Sequence, residues 1–202
     1  MNYAIEYTKE QSTNLVVTPR KKVLKNCLLH VHEGLVLFKL KKFEYAIEKG
    51  QSFWIPADCL TSLTIFPNSV LSKIELSVRL TDAFSSQAGY VSLGNVSGAI
   101  LNKLAAKTAS PEHTANLLQV VRDEIVELNP RLELSPLGKR FSQWNNESGS
   151  GLSQELNLSM KVREARKLIL SGTKREQVIR DYFAGSDEQF EQITKLILGN
   201  SL

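Results

Sequence analysis

Between residues 14 and 81 the apolar positions fall into short runs broken by turn residues. NLVVT, NCLLHVH, LVLFKL, FEYAIEK, SFWIPA, LTSLTIF and VLSKIELSV are rich in β-branched and aromatic side chains, a composition suited to a pleated, half-buried surface. Thr18-Pro19, His32-Glu33-Gly34, Lys49-Gly50 and Pro67-Asn68-Ser69 separate them. In SKIELSV the period is two. Ile74, Leu76 and Val78 share one face and Lys73, Glu75 and Ser77 the other, which turns the first set inward. Many short strands at this spacing predict a small barrel or sandwich.

The period changes after Leu80. TDAFSSQAGYVSLGNVSG is small, polar and glycine-containing, and reads as a linker with room for one short strand. SGAILNKLAAKT then brings Ile100, Leu101, Leu104 and Ala105 to helical spacing. A second helix is predicted over 111–128, with Leu117, Leu118, Val121, Ile125 and Leu128 on one stripe. Ser110 stands as its cap and Pro111 at its first turn, and Asn129-Pro130 ends it. PLGKRFSQW forms a short helix and NNESGSG a turn. Three helices follow. Ser159 caps MKVREARKLIL, which carries Val162, Ala165, Leu168 and Ile169 on its apolar side. Thr173 opens KREQVIRDYF with Glu176 at capping-box spacing. Ser186 opens DEQFEQITKLIL, with Gln189 in the same relation and Gly199 at the end. The chain is therefore predicted to be α+β, with strands over 1–81, a linker and helices over 82–130, and a small all-helical region over 131–202.

Composition narrows the classes. The 202 residues are 42% hydrophobic and 23% charged, enough for a real core. No apolar run reaches the length of a membrane span, and MNYAIEYTKEQST lacks the basic-then-apolar order of a signal peptide. Cys27 and Cys59 cannot form a disulfide framework, so free thiols and a cytoplasmic setting are expected. The net charge of +4 lies entirely in residues 1–81, which hold 11 basic and 7 acidic side chains; the remainder holds 14 of each. Within that neutral remainder, residues 159–180 concentrate seven Lys/Arg against two Glu. A DNA-binding chain gathers charge on one face, and this window is the candidate.

Candidate bond chemistry is sparse. His30 and His32 point to the same side of a strand and would make half of a metal site, but no later strand supplies a further histidine. No nucleophile elbow, phosphate loop or dinucleotide fingerprint occurs, so no catalytic residue, cofactor or metal is assigned. Phe53, Trp54 and Phe66 either line an apolar pocket or fill it.

Two placements of a DNA-reading helix compete. In the first, GLSQEL is a support helix, Asn157-Leu158 the turn and 159–170 the recognition helix, presenting Lys161, Arg163, Arg166 and Lys167, with Lys174, Arg175 and Arg180 adding phosphate contacts. In the second, 174–183 supports 187–198. Its helix boundaries are better, but Asp187, Glu188 and Glu191 would repel phosphate.

The order of parts resembles AraC-type transcriptional regulators. HVHEGLVLFKLKKFEYAIEKGQSFWIPADCLTSLTIF is similar to their cupin-like domain in Gly34, in Gly50 with Ser52, and in Ile55-Pro56; Leu60 or Thr61 stands where many cupins place a metal-binding histidine. ARKLILSGTKREQVIRDYFAGSDEQFEQITKLILG overlays the family's second helix–turn–helix without a gap, with Ala165, Leu168, Val178, Ser186, Phe190 and Gly199 on expected positions. It departs at Ile179, at Phe183-Ala184 in the turn, and at Thr194. The resemblance implies a cupin-like β-barrel for dimerisation or effector sensing, linker helices, and a C-terminal region that binds double-stranded DNA, with a homodimer, a protein partner or a small-molecule effector as further partners and no membrane. Two alternatives stand beside it: an interaction subunit that keeps the architecture without DNA readout, and a cupin-type small-molecule binder or enzyme.

Overall fold

Strand-forming runs and amphipathic helices stack here into four layers. The computed structural model describes residues 4–106, 110–147, 151–200 and 202. Lys107, Thr108 and part of the expected 145–151 turn lie outside the described residues. Ten strands come first: β1 (Ile5–Ser12), β2 (Val16–Val17), β3 (Lys21–Lys22), β4 (Asn26–Glu33), β5 (Leu35–Leu40), β6 (Phe43–Glu48), β7 (Ser52–Ile55), β8 (Leu60–Ile65), β9 (Ser69–Leu76) and β10 (Gly89–Val91). Six helices follow: α1 (Asn95–Ala105), α2 (Pro111–Glu127), α3 (Pro136–Ser142), α4 (Gln154–Leu170), α5 (Arg175–Tyr182) and α6 (Asp187–Leu198).

The expected barrel is not closed. The strands form two separate sheets, one ordered β1-β9-β4-β7-β10, the other β2-β8-β5-β6 with β3 also paired to β8. The pairing in each sheet ends at an edge strand rather than returning to its start, so the correct description is a pair of open sheets packed face to face. Side chains fill the space between them: Leu29, Val31, Val36, Phe38, Ile47 and Phe53 are each 0% exposed.

Both outer faces are covered as well. α1 and α2 lie on the first sheet, where Leu101, Leu104, Val121 and Ile125 meet Leu28, Trp54, Ile74 and Leu76. The alternation in SKIELSV therefore turns Ile74 and Leu76 toward the helical layer, while Val78 lies beyond the strand and is exposed. On the second sheet, Leu37 and Ala46 meet Phe141, Met160, Val162 and Ala165 of α3 and α4, and α5 and α6 complete that cluster. A strand covered on both faces reads as a continuous apolar run rather than an alternating one, which is why LVLF in β5 lacks a polar side.

Caps explain the helix starts. The hydroxyls of Ser110, Ser135 and Ser186 accept from the backbone N–H of His113, Gly138 and Gln189. Gly199 takes a left-handed conformation and ends α6. Two expected boundaries are corrected. Ser153, not Ser159, caps α4; Ser159 is buried inside one continuous helix. Lys174, rather than Thr173, precedes α5, with no side-chain cap.

Gly138 sets the approach of α3 to β6. A Cβ there would stand 2.8 Å from the carbonyl oxygen of Glu44, so the helix has to move away if one is added. Gly138→Ala is expected to lower stability by about 1–3 kcal/mol despite alanine's better helix propensity. A urea midpoint equal to or above that of the wild-type chain would contradict this close packing.

Candidate nucleic-acid interface

Continuity of α4 decides between the two placements. Asn157 and Leu158 lie within the helix, so the first placement has no turn between support and reader. The middle of α4 also lacks a free side. Ser159, Met160, Val162, Arg163 and Ala165 are all buried, and at 100° per residue these five positions cover about 220° of the circumference, while Lys161 and Glu164 in the remaining sector are half-buried. Most of this helix's circumference is therefore taken up by packing.

The cations expected on α4 separate accordingly. Arg163 is only 8% exposed. Its Nη2 lies 3.1 Å from Glu44 Oε1 and 3.3 Å from Glu164 Oε1, and its Nη1 donates to Thr64 Oγ1 at 3.3 Å. Glu44 is paired again across the strands by Lys39 at 3.2 Å. Arg163 thus joins α4 to the second sheet. Lys167 pairs with Glu164 at 2.9 Å, and these neighbours hold the Glu164 carboxyl below its ordinary value against the opposing effect of burial. Lys161 and Arg166 are half-buried, Lys174 is exposed, and none has a carboxylate partner among the described residues.

α5 and α6 are two short helices joined by the turn over residues 183–186, and both pack on α4. Val178 and Ile179 of α5 and Phe190 and Thr194 of α6 are buried around α4. The positions that depart from the AraC pattern have packing roles. Phe183 meets Phe190 edge-on at 5.1 Å between ring centroids, and Thr194 turns its hydroxyl back to the Phe190 carbonyl at 2.8 Å. Ala184 and Gly185 both take positive φ, 51° and 79°, and close the turn.

Arg175 changes the charge of α6. Its guanidinium donates to Asp187 and Glu191 and stacks over the Phe190 ring at 4.9 Å. One positive charge is therefore set against two of the three carboxylates counted against this helix, which leaves that group with one negative charge rather than two. The remaining outward stripe is Glu188, Gln189, Gln192 and Lys195, all exposed, with Gln192 Nε2 donating to Glu188 Oε1 at 3.1 Å. Spacing alone could not reveal this arrangement, because Arg175 lies on the preceding helix.

The histidine pair belongs to β4 of the first sheet. His30 and His32 sit edge-on at 4.7 Å between centroids, one bound to Ser52 Oγ at 2.9 Å and the other to Ser72 Oγ at 2.7 Å. No cluster of three His, Cys, Asp or Glu arranged for a metal occurs among the described residues. Burial, reinforced by His32, lowers the His30 pKa to about 4. Burial and Lys9 lower that of His32, with Asn102 and Glu33 opposing. A histidine whose folded value is depressed contributes its full stability above about pH 6.5 and loses it as the pH falls toward the folded value. The urea midpoint is expected to drop between pH 7 and pH 4.5, and His30→Gln should flatten that slope. An equally steep slope in the variant would contradict this assignment. Burial also raises both thiols, that of Cys27 to about 12, so neither is primed as a nucleophile.

No described helix is long and apolar enough to cross a membrane. No protein-family model matches the sequence, and no curated protein does. Among solved structures, an apo form of ToxT from Vibrio cholerae aligns at 11% identity over 99% of this chain and 96% of that one, with a TM-score of 0.46. An unsaturated-fatty-acid-bound ToxT from the same species aligns at 11% identity over 99% and 94%, with a TM-score of 0.44. A cupin superfamily protein from Desulfitobacterium hafniense aligns at 8% identity over 38% of this chain and 71% of that one, with a TM-score of 0.35. Over its full length, at low sequence identity, the chain is structurally similar to ToxT, an AraC-family transcriptional regulator.

Proposed function

We propose that the chain is a DNA-binding transcriptional regulator in which α5 supports α6 as the helix presented to the major groove. The observation that supports this reading is the Arg175 bridge to Asp187 and Glu191, which offsets one negative charge at the start of α6 and turns both carboxylates toward the protein's own cation. Gln189 and Gln192 then stand where side chains reach base edges, an amide being suited to adenine. Lys161, Arg166, Lys174 and the exposed Arg180 and Lys195 supply phosphate contacts, with Lys167 at the rim. Arg163 and Arg175 act through structure: one fixes α4 to the sheet and the other offsets one carboxylate charge of α6. No bond chemistry is involved. The test is selection from genomic duplex fragments by the purified chain. Recovery of a shared sequence, lost in a K161A/R166A/K174A variant that remains folded, supports the reading. Equal recovery of all fragments by both proteins contradicts it.

A second reading, a subunit that contacts a protein partner or a second copy of itself, draws on a different observation. Val96 and Val120 on α1 and α2 are 63% and 46% exposed, and Val96, Ala99 and Ile100 line a shallow hollow. Sedimentation of the chain against a Val96→Glu, Val120→Glu variant tests it. A species that stays monomeric at all concentrations would remove the self-association form of this reading.

A further inference from the structure

The unpaired positive charge of the two sheets collects at one corner. Residues 1–81 carry 11 basic and 7 acidic side chains. Three of the basic ones, Lys25, Lys39 and Lys73, are paired with Glu6, Glu44 and Glu10. Arg20, Lys21, Lys22, Lys41 and Lys42 are all exposed. Among the described residues only Lys22 of these five has a carboxylate partner, the exposed Asp58 at 3.9 Å. Set against Asp58, the five leave a surplus equal to the chain's whole net charge of +4.

Strand register brings them together. Thr61 of β8 faces Lys21 of β3 on one side and Leu40 of β5 on the other. Lys41 and Lys42 follow Leu40 as the two-residue loop that returns to Phe43. The cations therefore stand in two rows separated by two strand spacings, about 10 Å.

The loop conformation points the same way. Lys41 has a φ of 55°, in the left-handed region. Tight hairpin loops with a positive φ favour Asn or Gly there, and another residue costs about 1 kcal/mol or more. Lys41 recovers none of this inside the chain, since its ammonium pairs with no carboxylate among the described residues. A strained cation at a loop tip is placed for a ligand outside the protein.

Continuity identifies that ligand. Lys42 and Lys167 line one cavity at the seam between the second sheet and the helices. Lys167 is also the rim of the phosphate-contacting set on α4 to α6. Resting on the DNA-binding function above, we propose that this corner is a second, sequence-independent contact with the same duplex. The DNA that meets α6 continues past Lys167 and Lys42 to the two rows, which hold its phosphates without touching a base. Rows about 10 Å apart suit backbones that flank a groove about 12 Å wide.

Duplex length separates this contact from that of α6. The full chain and a K21Q/K22Q/K41Q/K42Q variant are titrated with two duplexes carrying the selected sequence, one of about 30 base pairs and one trimmed to about 12, little more than a helical turn. On the long duplex the variant is expected to bind at least about tenfold more weakly at about 50 mM salt, with its log K–log salt slope reduced by about two to four. On the short duplex it should match the wild-type chain, and its preference for the selected over an unrelated sequence should not change. Its thermal midpoint should be unaltered, since all four side chains are exposed. Lys41→Asn alone relieves the loop, and is expected to raise the midpoint while weakening the long duplex. Equal affinity of variant and wild type for the long duplex, with sequence selection intact, overturns the second contact and leaves the role of α6 standing. Failure of the wild-type chain to bind either duplex removes both. Vesicles with about one-third phosphatidylglycerol test the other polyanionic surface: vesicle binding that the variant loses, with DNA affinity unchanged, would assign the corner to a membrane and overturn the proposal.

Discussion

Replacing Arg163 by methionine is expected to lower the free energy of unfolding by about 3–5 kcal/mol, the cost of leaving a buried ion without its partner. The argument rests on burial at both ends: the side chains of Arg163 and Glu44 are 9% and 3% exposed. Removing the guanidinium leaves Glu44 buried, with only Lys39 beside it and neither carboxylate oxygen hydrogen-bonded among the described residues. Removing both charges is a different operation. The paired variant R163M/E44L takes away two desolvation costs together and is expected to regain most of the loss, because apolar replacements of similar volume fit beside Leu37 and Ala46. Urea unfolding of the four proteins of this cycle gives the coupling directly. A loss below about 1 kcal/mol in R163M would mean that the pair behaves as a solvated surface bridge. DNA affinity per folded molecule should be unchanged in R163M, since this arginine faces the sheet.

Gln189→Ala and Gln192→Ala are expected to act on sequence preference and leave non-specific binding almost unchanged. A bidentate amide–adenine contact discriminates by about 1–3 kcal/mol, so each change should reduce affinity for the selected site by roughly tenfold to a hundredfold. Lys174→Ala and Arg180→Ala should instead weaken selected and unrelated duplexes alike, because phosphate contacts carry no base information. Thermal midpoints should stay near the wild-type value in all four variants, since every one of these side chains is exposed. If Gln189→Ala and Gln192→Ala reduced both kinds of duplex equally, α6 would not be the reader. Arg175→Ala provides an internal check. It frees Asp187 and Glu191 to face the phosphates and should weaken DNA binding even though Arg175 itself touches no base in this arrangement.

Much of the layer order was legible in the chain. Short β-branched runs became β4 to β9 nearly as read, and Ser110-Pro111 and Ser186 mark true helix starts, because capping is a local transaction between a hydroxyl and nearby backbone N–H groups. Closure of the strands was not legible. Whether a set of strands returns on itself depends on which edges pair over long separations, as when β1 adds to β9, and no residue in IEYTKEQS announces that partner. The N-terminal run also alternates weakly, which leaves β1 without a clear strand signal. Ser159 looked like a cap because a serine followed by an amphipathic run is a common start signal. Its burial beside Met160 shows packing overriding local preference.

The site was legible in part for the same reason. Basic residues in 159–180 were visible as a cluster, but helix position and charge say nothing of which partner waits on another element. Glu44 offered the missed signal. It lies in FEYAIEK among residues that are buried on both faces of a strand, and a carboxylate in such a run requires a cation from the layer above. Arg163 is that cation, supplied from far along the chain. Read together, Glu44 and Arg163 would have moved one candidate from the groove to the core.

The account turns on whether the exposed face of this helical layer meets nucleic acid, and the most direct test is equilibrium binding of the full chain to its selected duplex between about 50 and 200 mM salt. The expected result is a straight fall of log K with log salt, with a slope set by several released counterions and reduced by about one for each of Lys174→Ala and Arg180→Ala. A binding constant indifferent to salt, or a slope that both variants leave untouched, would contradict the account.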